Sequence, residues 1–198
     1  MGENEKKLVE KAKSGDIKAF EKLIEDHQKK VFNIALRMIG DYDEASELAQ
    51  EAFLKAYKSI KSFKGDSLFS TWIYKITTNV CLDEIRRKKK KKLISLDEDI
   101  EHDGSEFKRQ IKDHSPGPES LAENNELKRM VKESINLLPE DYKIVIVLRD
   151  IQGFSYEEIS RIIKCPIGTV KSRINRARRA LKKILQKNGE LIIEEFVK

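Results

Sequence analysis

Apolar residues recur along the chain at alternating steps of three and four, the spacing of amphipathic helices. The clearest example follows Pro166, where one face of a long helix is apolar. That stripe comprises Ile167, Val170, Ile174, Ala177, Leu181 and Ile184. A shorter helix precedes it, with Ile159, Ile162 and Ile163 on one face. Proline disfavours helical geometry in the residue before it, so two helices joined by a tight turn are predicted.

A start signal marks the first of these two helices. Ser155 is followed three residues later by Glu158, which is the pattern of a capping box: the serine bonds a backbone amide and the glutamate reaches back to the cap. The start signal, the break at Pro166 and the second apolar stripe together predict a helix-turn-helix whose second helix is the recognition helix.

The N-terminal half has the same periodicity. We expect helices over residues 3–13, from a cap at Asp16 as far as Gly40, over 43–60 and over 68–89. His27 lies on the apolar face of the second of these, which indicates a packed histidine rather than a ligand.

Beyond that half, residues 93–119 are acidic, poor in apolar residues and closed by Ser-Pro-Gly-Pro, a composition typical of a flexible linker. Further helices are expected through Leu121–Leu138 and from Pro139 onward. The centre of the latter, Ile144–Leu148, has strand propensity, but its neighbours are all helical and we predict a helix.

These patterns predict an all-α protein with two small helical domains, an acidic linker and a helix-turn-helix in the C-terminal domain. The expected boundaries are 1–92 for the first domain, 93–119 for the linker, 120–186 for the second domain and 187–198 for a tail.

The polar face of the recognition helix is cationic. It carries Lys171, Ser172, Arg173, Asn175, Arg176, Arg178 and Arg179. No acidic residue occurs from Ser160 to Gln186, whereas a merely solvated helix usually mixes both signs to form i,i+4 pairs. We therefore predict that this face binds the DNA major groove. An amphipathic helix with a basic exterior is the alternative.

Composition narrows the classes of function. The 198 residues are 37% charged and 7% aromatic, with a net charge of +6. Cys81 and Cys165 form no CxxC pair and the three histidines are scattered, so we expect neither a metal site nor a cofactor. No apolar leader or membrane-length run occurs, which predicts a cytoplasmic protein. No constellation of catalytic residues is evident, and an enzyme is not expected.

Four strings, in order, carry a resemblance to a known family. They are ELAQEAFLKAY (47–57), SFKGDSLFSTWIYKITTNVCLDEIRR (62–87), LPEDYKIVIVLRDIQGFSYEEIS (138–160) and CPIGTVKSRINRARRAL (165–181). On these strings the chain resembles the extracytoplasmic-function sigma factors of bacterial RNA polymerase. The resemblance extends from about Asp16 to Leu185.

The resemblance implies roles for particular residues. The string containing Glu47, Leu48, Gln50 and Glu51 resembles the family segment that binds the clamp helices of core polymerase. A second set resembles the part that captures an unstacked −10 base and follows the adjoining strand. Its members are Phe63, Lys64, Gly65, Asp66, Ser67, Asn79, Asp83, Arg86 and Arg87. The basic helix resembles the reader of the −35 element.

The partners implied by the resemblance are core RNA polymerase, promoter DNA and an anti-sigma factor, which in relatives is often membrane-bound. Three other classes remain open from the residues alone. They are a helix-turn-helix regulator that is not a polymerase subunit, an enzyme such as a recombinase, and a protein-binding helical adaptor.

Overall fold

The computed structural model describes residues 3–98 and 119–196, with side chains described over 3–91 and 127–188. This part of the chain contains α-helices and no β-strand, as predicted. Its helices are α1 (Glu3–Lys13), α2 (Ile17–Glu25), α3 (Gln28–Ile39), α4 (Tyr42–Ser59), α5 (Phe69–Glu98), α6 (Glu119–Asn136), α7 (Glu140–Ile146), α8 (Tyr156–Ile163) and α9 (Ile167–Phe196). A 3₁₀ turn (Ile60–Ser62) follows α4, and a π-helical turn (Val147–Ile151) follows α7.

The single helix expected from Asp16 to Gly40 is in fact two helices, and that prediction was wrong. Asp16 caps α2 as expected, accepting a hydrogen bond from the Ala19 amide at 3.1 Å. The helix ends at Glu25, where two consecutive acids, Glu25 and Asp26, meet the negative end of the helix dipole. His27 is the N-cap residue of α3 and is half-buried, with Nδ1 3.1 Å from the Tyr74 hydroxyl. The histidine is packed, as predicted.

Two helices extend further than expected. α5 continues nine residues past Lys89 to Glu98, and α9 continues through the predicted tail to Phe196. Lysine and arginine are good helix formers, and α5 also gains ion pairs along its basic segment. Arg87 bonds Glu84 one turn earlier, and Lys88 bonds Glu44 of α4. Residues 93–98, predicted as linker, are therefore helical. The rest of that linker lies outside the described residues, except Glu119.

The segment Ile144–Leu148 is helical, as predicted, and it spans the end of α7 and the start of the π turn. Val145, Ile146, Val147 and Leu148 are all at most 1% exposed, so they are buried on every side of the segment. The helix widens into the π turn before Gly153, whose φ of 75° allows the chain to reverse toward α8. Arg149 then donates to the Phe154 carbonyl at 2.8 Å and holds the reversal.

The two helical domains pack directly on each other, with α5 of the first against α8 of the second. Phe154 lies at the centre of this contact. Its ring packs edge-on against Tyr74 at 5.4 Å between centroids, and the Lys30 ammonium lies 4.2 Å from its centroid. Burying one phenylalanine ring stabilises by about 2–3 kcal/mol. Burial of Phe154 therefore stabilises the packing of the two domains against each other.

A buried lysine lies at the edge of the same interface. Lys143 of α7 is only 7% exposed, and burial lowers its pKa to about 8, with Lys88 acting in the same direction and Cys81 of α5 opposing. Its ammonium donates to Asn136 Oδ1 at 2.8 Å. Asn136 in turn touches the first domain, because a Cβ built on Gly40 would lie 3.0 Å from Asn136 Nδ2.

Gly40→Ala and Gly15→Ala form a matched pair for testing this contact. Both glycines have positive φ, but a Cβ on Gly15 meets nothing within 4 Å. Gly15→Ala should lower the free energy of unfolding by about 1–2 kcal/mol, the cost of alanine in the left-handed region. Gly40→Ala should cost about 1 kcal/mol more, because its methyl displaces the acceptor of the Lys143 ammonium. Urea denaturation measures both. Equal losses would contradict the interdomain contact.

Candidate nucleic-acid and polymerase interfaces

The helix-turn-helix has the predicted start and break. The Glu158 amide donates to Ser155 Oγ at 3.1 Å and the Ser155 amide donates to Glu158 Oε2 at 2.8 Å, so the capping box is confirmed. α8 ends at Ile163, and Lys164 takes a left-handed conformation with φ of 52°. Ser160 Oγ then donates to the Cys165 carbonyl at 2.6 Å and fixes the turn.

The predicted DNA-binding face of α9 divides into two groups. Five of its residues are exposed and form no ion pair with an acid in the described part of the chain. They are Lys171, Ser172, Asn175, Arg176 and Arg179. Arg173 and Arg178 instead pair with acids from outside the helix. Arg173 lies 3.4 Å from Asp141, and Arg178 forms a two-pronged ion pair with Asp150 that raises the pKa of the guanidinium.

The loop between α4 and α5 borders a cavity of about 470 Å³. Phe63 is only 3% exposed and packs against the rings of Phe69 and Trp72, so it anchors the loop from below. Lys64, Gly65 and Asp66 are exposed and Ser67 is half-buried. Trp72 is half-buried and lines the same cavity. All five residues of the predicted loop, Phe63–Ser67, line this cavity.

Two lysines that sequence reasoning missed also line this cavity. Lys75 comes from α5, and Lys164 comes from the turn of the helix-turn-helix. The helical period places Lys75 one turn after Trp72. No sequence pattern, however, connects Lys164 with a loop a hundred residues earlier. Asn79 is exposed one further turn along α5 and is not part of the cavity lining.

The two predicted −10 arginines on α5 are held by carboxylates, one of which is the third predicted residue, Asp83. Arg86 lies 3.9 Å from Asp83 and 3.2 Å from Glu140, an acid of the second domain. Arg87 donates twice to Glu84, at 2.7 and 2.9 Å, and these bonds hold the pKa of Glu84 below its ordinary value. The arginine nearest the domain interface, Arg86, is therefore shared between the two domains.

Three of the four predicted polymerase-binding residues, Glu47, Leu48 and Glu51, line an acidic cleft of about 370 Å³ between α4 and α5. Its lining holds five carboxylates and one arginine. These are Glu44, Glu47, Glu51, Asp83, Glu84 and Arg87. Glu47 and Glu51 are exposed, whereas Leu48 is 6% exposed and belongs to the core beneath the cleft. Gln50 is exposed outside the lining. The cleft suits a basic partner surface.

Comparisons with known proteins agree on one family. The Sigma-70 region 2 model matches residues 23–91 and the Sigma-70 region 4 model matches residues 128–181. The chain is 37% identical to the RNA polymerase sigma-H factor of Pseudomonas aeruginosa, over 93% of this chain and 95% of that one. It is 41% identical to the ECF RNA polymerase sigma-E factor of Escherichia coli K12, over 88% and 90%. The chain belongs to the extracytoplasmic-function sigma factors.

Solved structures show the same fold. The structure of CnrH in complex with the cytosolic domain of CnrY matches with a TM-score of 0.65 and 25% identity, over 93% of this chain and 99% of that one. The sigma factor RpoE of Bartonella quintana, in complex with the anti-sigma factor NepR, matches with a TM-score of 0.63 and 25% identity, over 86% and 98%. The predicted family and fold class are thereby confirmed.

Within its described residues, the sigma factor has neither a membrane-spanning helix nor a cluster of side chains that could hold a metal ion. No helix there is long and apolar enough to cross a membrane. No group of three or more histidine, cysteine or acidic side chains in that part of the chain is placed to hold a metal ion.

Arg176→Ala and Arg178→Ala should have different effects on DNA binding. Arg176→Ala should weaken the free energy of binding to a duplex with the preferred −35 element by about 1–3 kcal/mol. It should also reduce the preference of the protein for that duplex over a random one. Arg178→Ala should cost less, because Asp150 already neutralises that guanidinium. Fluorescence anisotropy on both duplexes measures this. Equal losses for the two variants would show that the Asp150 pair opens on DNA.

Proposed function

We propose that this sigma factor uses three separate surfaces, one for polymerase and two for promoter DNA. The acidic cleft between α4 and α5 binds core RNA polymerase. The loop Phe63–Ser67, with Asn79, Asp83, Arg86 and Arg87, binds the opened −10 element, and the exposed face of α9 binds the −35 element. The domain boundaries 1–92, 93–119, 120–186 and 187–198 remain part of this proposal.

The acidic cleft is the observation that best supports the proposal, because binding of DNA by a helix-turn-helix does not require an acidic surface. Five carboxylates face one groove with a single arginine among them. Four of these carboxylates pair with cations of the chain, Glu44 with Lys88, Glu51 with Lys55, Asp83 with Arg86 and Glu84 with Arg87. Glu47 forms no ion pair among the described side chains and remains for an opposite charge supplied by a partner. A basic surface of core polymerase is such a partner, and the string that forms the groove is the one that resembles the docking segment of the family.

The −10 surface requires chemistry beyond duplex binding. A base enters the cavity beside the loop only after it leaves the stack, at a cost of a few kcal/mol in a duplex and least where it is already unpaired. The cavity of about 470 Å³ has Trp72 on one wall and lysines around it, features suited to a base and its phosphates. The sigma factor therefore favours an open −10 strand over a matched duplex.

The two domains must separate for both elements to be bound at once. The −10 and −35 elements lie about 25 base pairs apart, or about 85 Å at 3.4 Å per base pair. In the structure, Lys164 at the turn before α9 lines the same cavity as the −10 loop. The closed arrangement is therefore the state of the free chain, and polymerase holds the domains apart. The second promoter contact then becomes intramolecular.

An anti-sigma factor is the further partner that the relatives support. Both solved neighbours are complexes, one with the cytosolic domain of CnrY and one with the anti-sigma factor NepR. We infer that a corresponding protein binds this sigma factor and keeps it from polymerase. The sigma factor acts in the cytoplasm, where its DNA lies, and a membrane-bound anti-sigma factor would retain it at the membrane.

Glu47→Arg tests polymerase docking, with Glu21→Arg as its control. Both glutamates are exposed on helices, but only Glu47 lines the acidic cleft. Glu47→Arg should weaken binding to core polymerase by about tenfold or more, because it places like charge against a basic surface. Folding stability should change by only about 0.5 kcal/mol in both variants. Affinity measured by fluorescence titration with core polymerase that is the same for the two variants would refute the docking surface.

A further inference from the structure

The cavity beside the −10 loop is lined by cationic groups of both domains. Lys64 of the loop and Lys75 of α5 come from the first domain, and Lys164 comes from the second. Asp66 is the one carboxylate in the lining, and no described ion pair joins it to these lysines. The cavity therefore carries an excess of two positive charges while the domains are closed.

Lys75 and Lys164 are placed against each other. Burial, and next the neighbouring Lys164 ammonium, lower the pKa of Lys75. Neither lysine forms an ion pair with an acid among the described side chains. Two ammonium groups have only donors, so neither can satisfy the other by hydrogen bonding. While both lysines are protonated, their approach across a domain interface is unfavourable, and an anion that bridges them removes the repulsion.

The size and the aromatic wall indicate what kind of anion fits. A space of about 470 Å³ falls in the range of small-molecule sites. Lysine is a common phosphate binder that acts as a point charge, and three lysines suit a chain of phosphates better than a single one. Trp72 adds an aromatic wall beside them, on which a base can stack.

We propose that this cavity binds a polyphosphate group, free or carried by a nucleotide, that bridges Lys64 and Lys75 of the first domain to Lys164 of the second. The bound polyphosphate stabilises the closed arrangement and occupies the loop. This site goes beyond the proposed function, since it requires neither polymerase nor promoter DNA.

Trp72 provides the readout, because it is the one tryptophan of the chain and it lines the cavity. Iodide quenching of its fluorescence is measured on the full chain at constant ionic strength, with acrylamide as the neutral quencher. Inorganic tripolyphosphate and ATP are titrated separately, without magnesium. Each should protect Trp72 from iodide with saturable binding, whereas the same ionic strength of chloride should not.

The lysine variants locate the site. Lys75→Gln and Lys164→Gln should each weaken tripolyphosphate about tenfold or more, the loss of one charge-assisted hydrogen bond. Lys132→Gln, the same change at an exposed lysine of α6, should have no effect. Thermal melts check that all three variants fold. Lys164 is exposed, so its substitution should not disturb the core.

The outcomes separate the sources of phosphate and decide the proposal. Tighter binding of ATP than of tripolyphosphate assigns a nucleotide, and equal binding assigns the phosphate chain alone. Both support the site. Two results would overturn the bridge between domains. One is that tripolyphosphate protects Trp72 from iodide no better than chloride does, and the other is that Lys164→Gln leaves the affinity for tripolyphosphate unchanged. Neither failure bears on polymerase docking, which the Glu47→Arg variant tests independently.

Discussion

Helix α5 is buried from two sides, and this double burial fixes where the cavity wall, the acidic cleft and the basic end of the helix lie. On one side it packs against α3 and α4, and on the other against α8 of the second domain. Phe69 and Ile73 are completely buried, and Tyr74 is buried against Phe154. The residues between the buried positions are left to form the cavity wall, the acidic cleft and the basic end of the helix. Without that packing, the same side chains would lie on one helix but would not be positioned relative to the residues of the other helices.

Under the proposed function, the same contact engages residues that the promoter would have to bind. Arg86, a predicted −10 residue, is paired with Glu140 of the second domain, and Lys164 faces the −10 loop. The Arg86–Glu140 pair is largely solvent-exposed, and exposed ion pairs contribute only about 0–1 kcal/mol. Phe154 and its neighbours supply most of the attraction between the domains. Binding free energy from polymerase and DNA has to exceed that contribution to separate them.

Local signals in the sequence predicted local structure well. The capping box at Ser155, the cap at Asp16 and the helical centre of α7 follow from a few adjacent residues, and all are confirmed. The break at His27 was missed because the apolar stripe runs through it without interruption. The extension of α5 to Glu98 was missed because a run of seven cations is usually solvated and frayed, and its partner Glu44 lies on another helix.

For the candidate sites too, features local in the sequence were predicted and contacts between distant residues were not. The basic face of α9 and the acids of α4 were evident from periodicity. The Arg178–Asp150 and Arg173–Asp141 pairs connect residues about thirty positions apart, for which a single sequence has no signal. Lys164 belongs to the turn of one domain and the cavity of the other. Its position depends on how two domains pack, and helical periodicity carries no information about that.

The distance between the two domains tests the central claim most directly. Spin labels at Lys22→Cys of α2 and Lys132→Cys of α6, both exposed positions, report that distance when Cys165 is replaced by serine and Cys81 remains buried. Double electron–electron resonance should give one short, narrow distribution for the free chain. With core polymerase and promoter DNA, the mean distance should increase by tens of ångströms, as the spacing of the promoter elements requires. An unchanged distance in that complex, or a long and broad one in the free chain, would contradict the account.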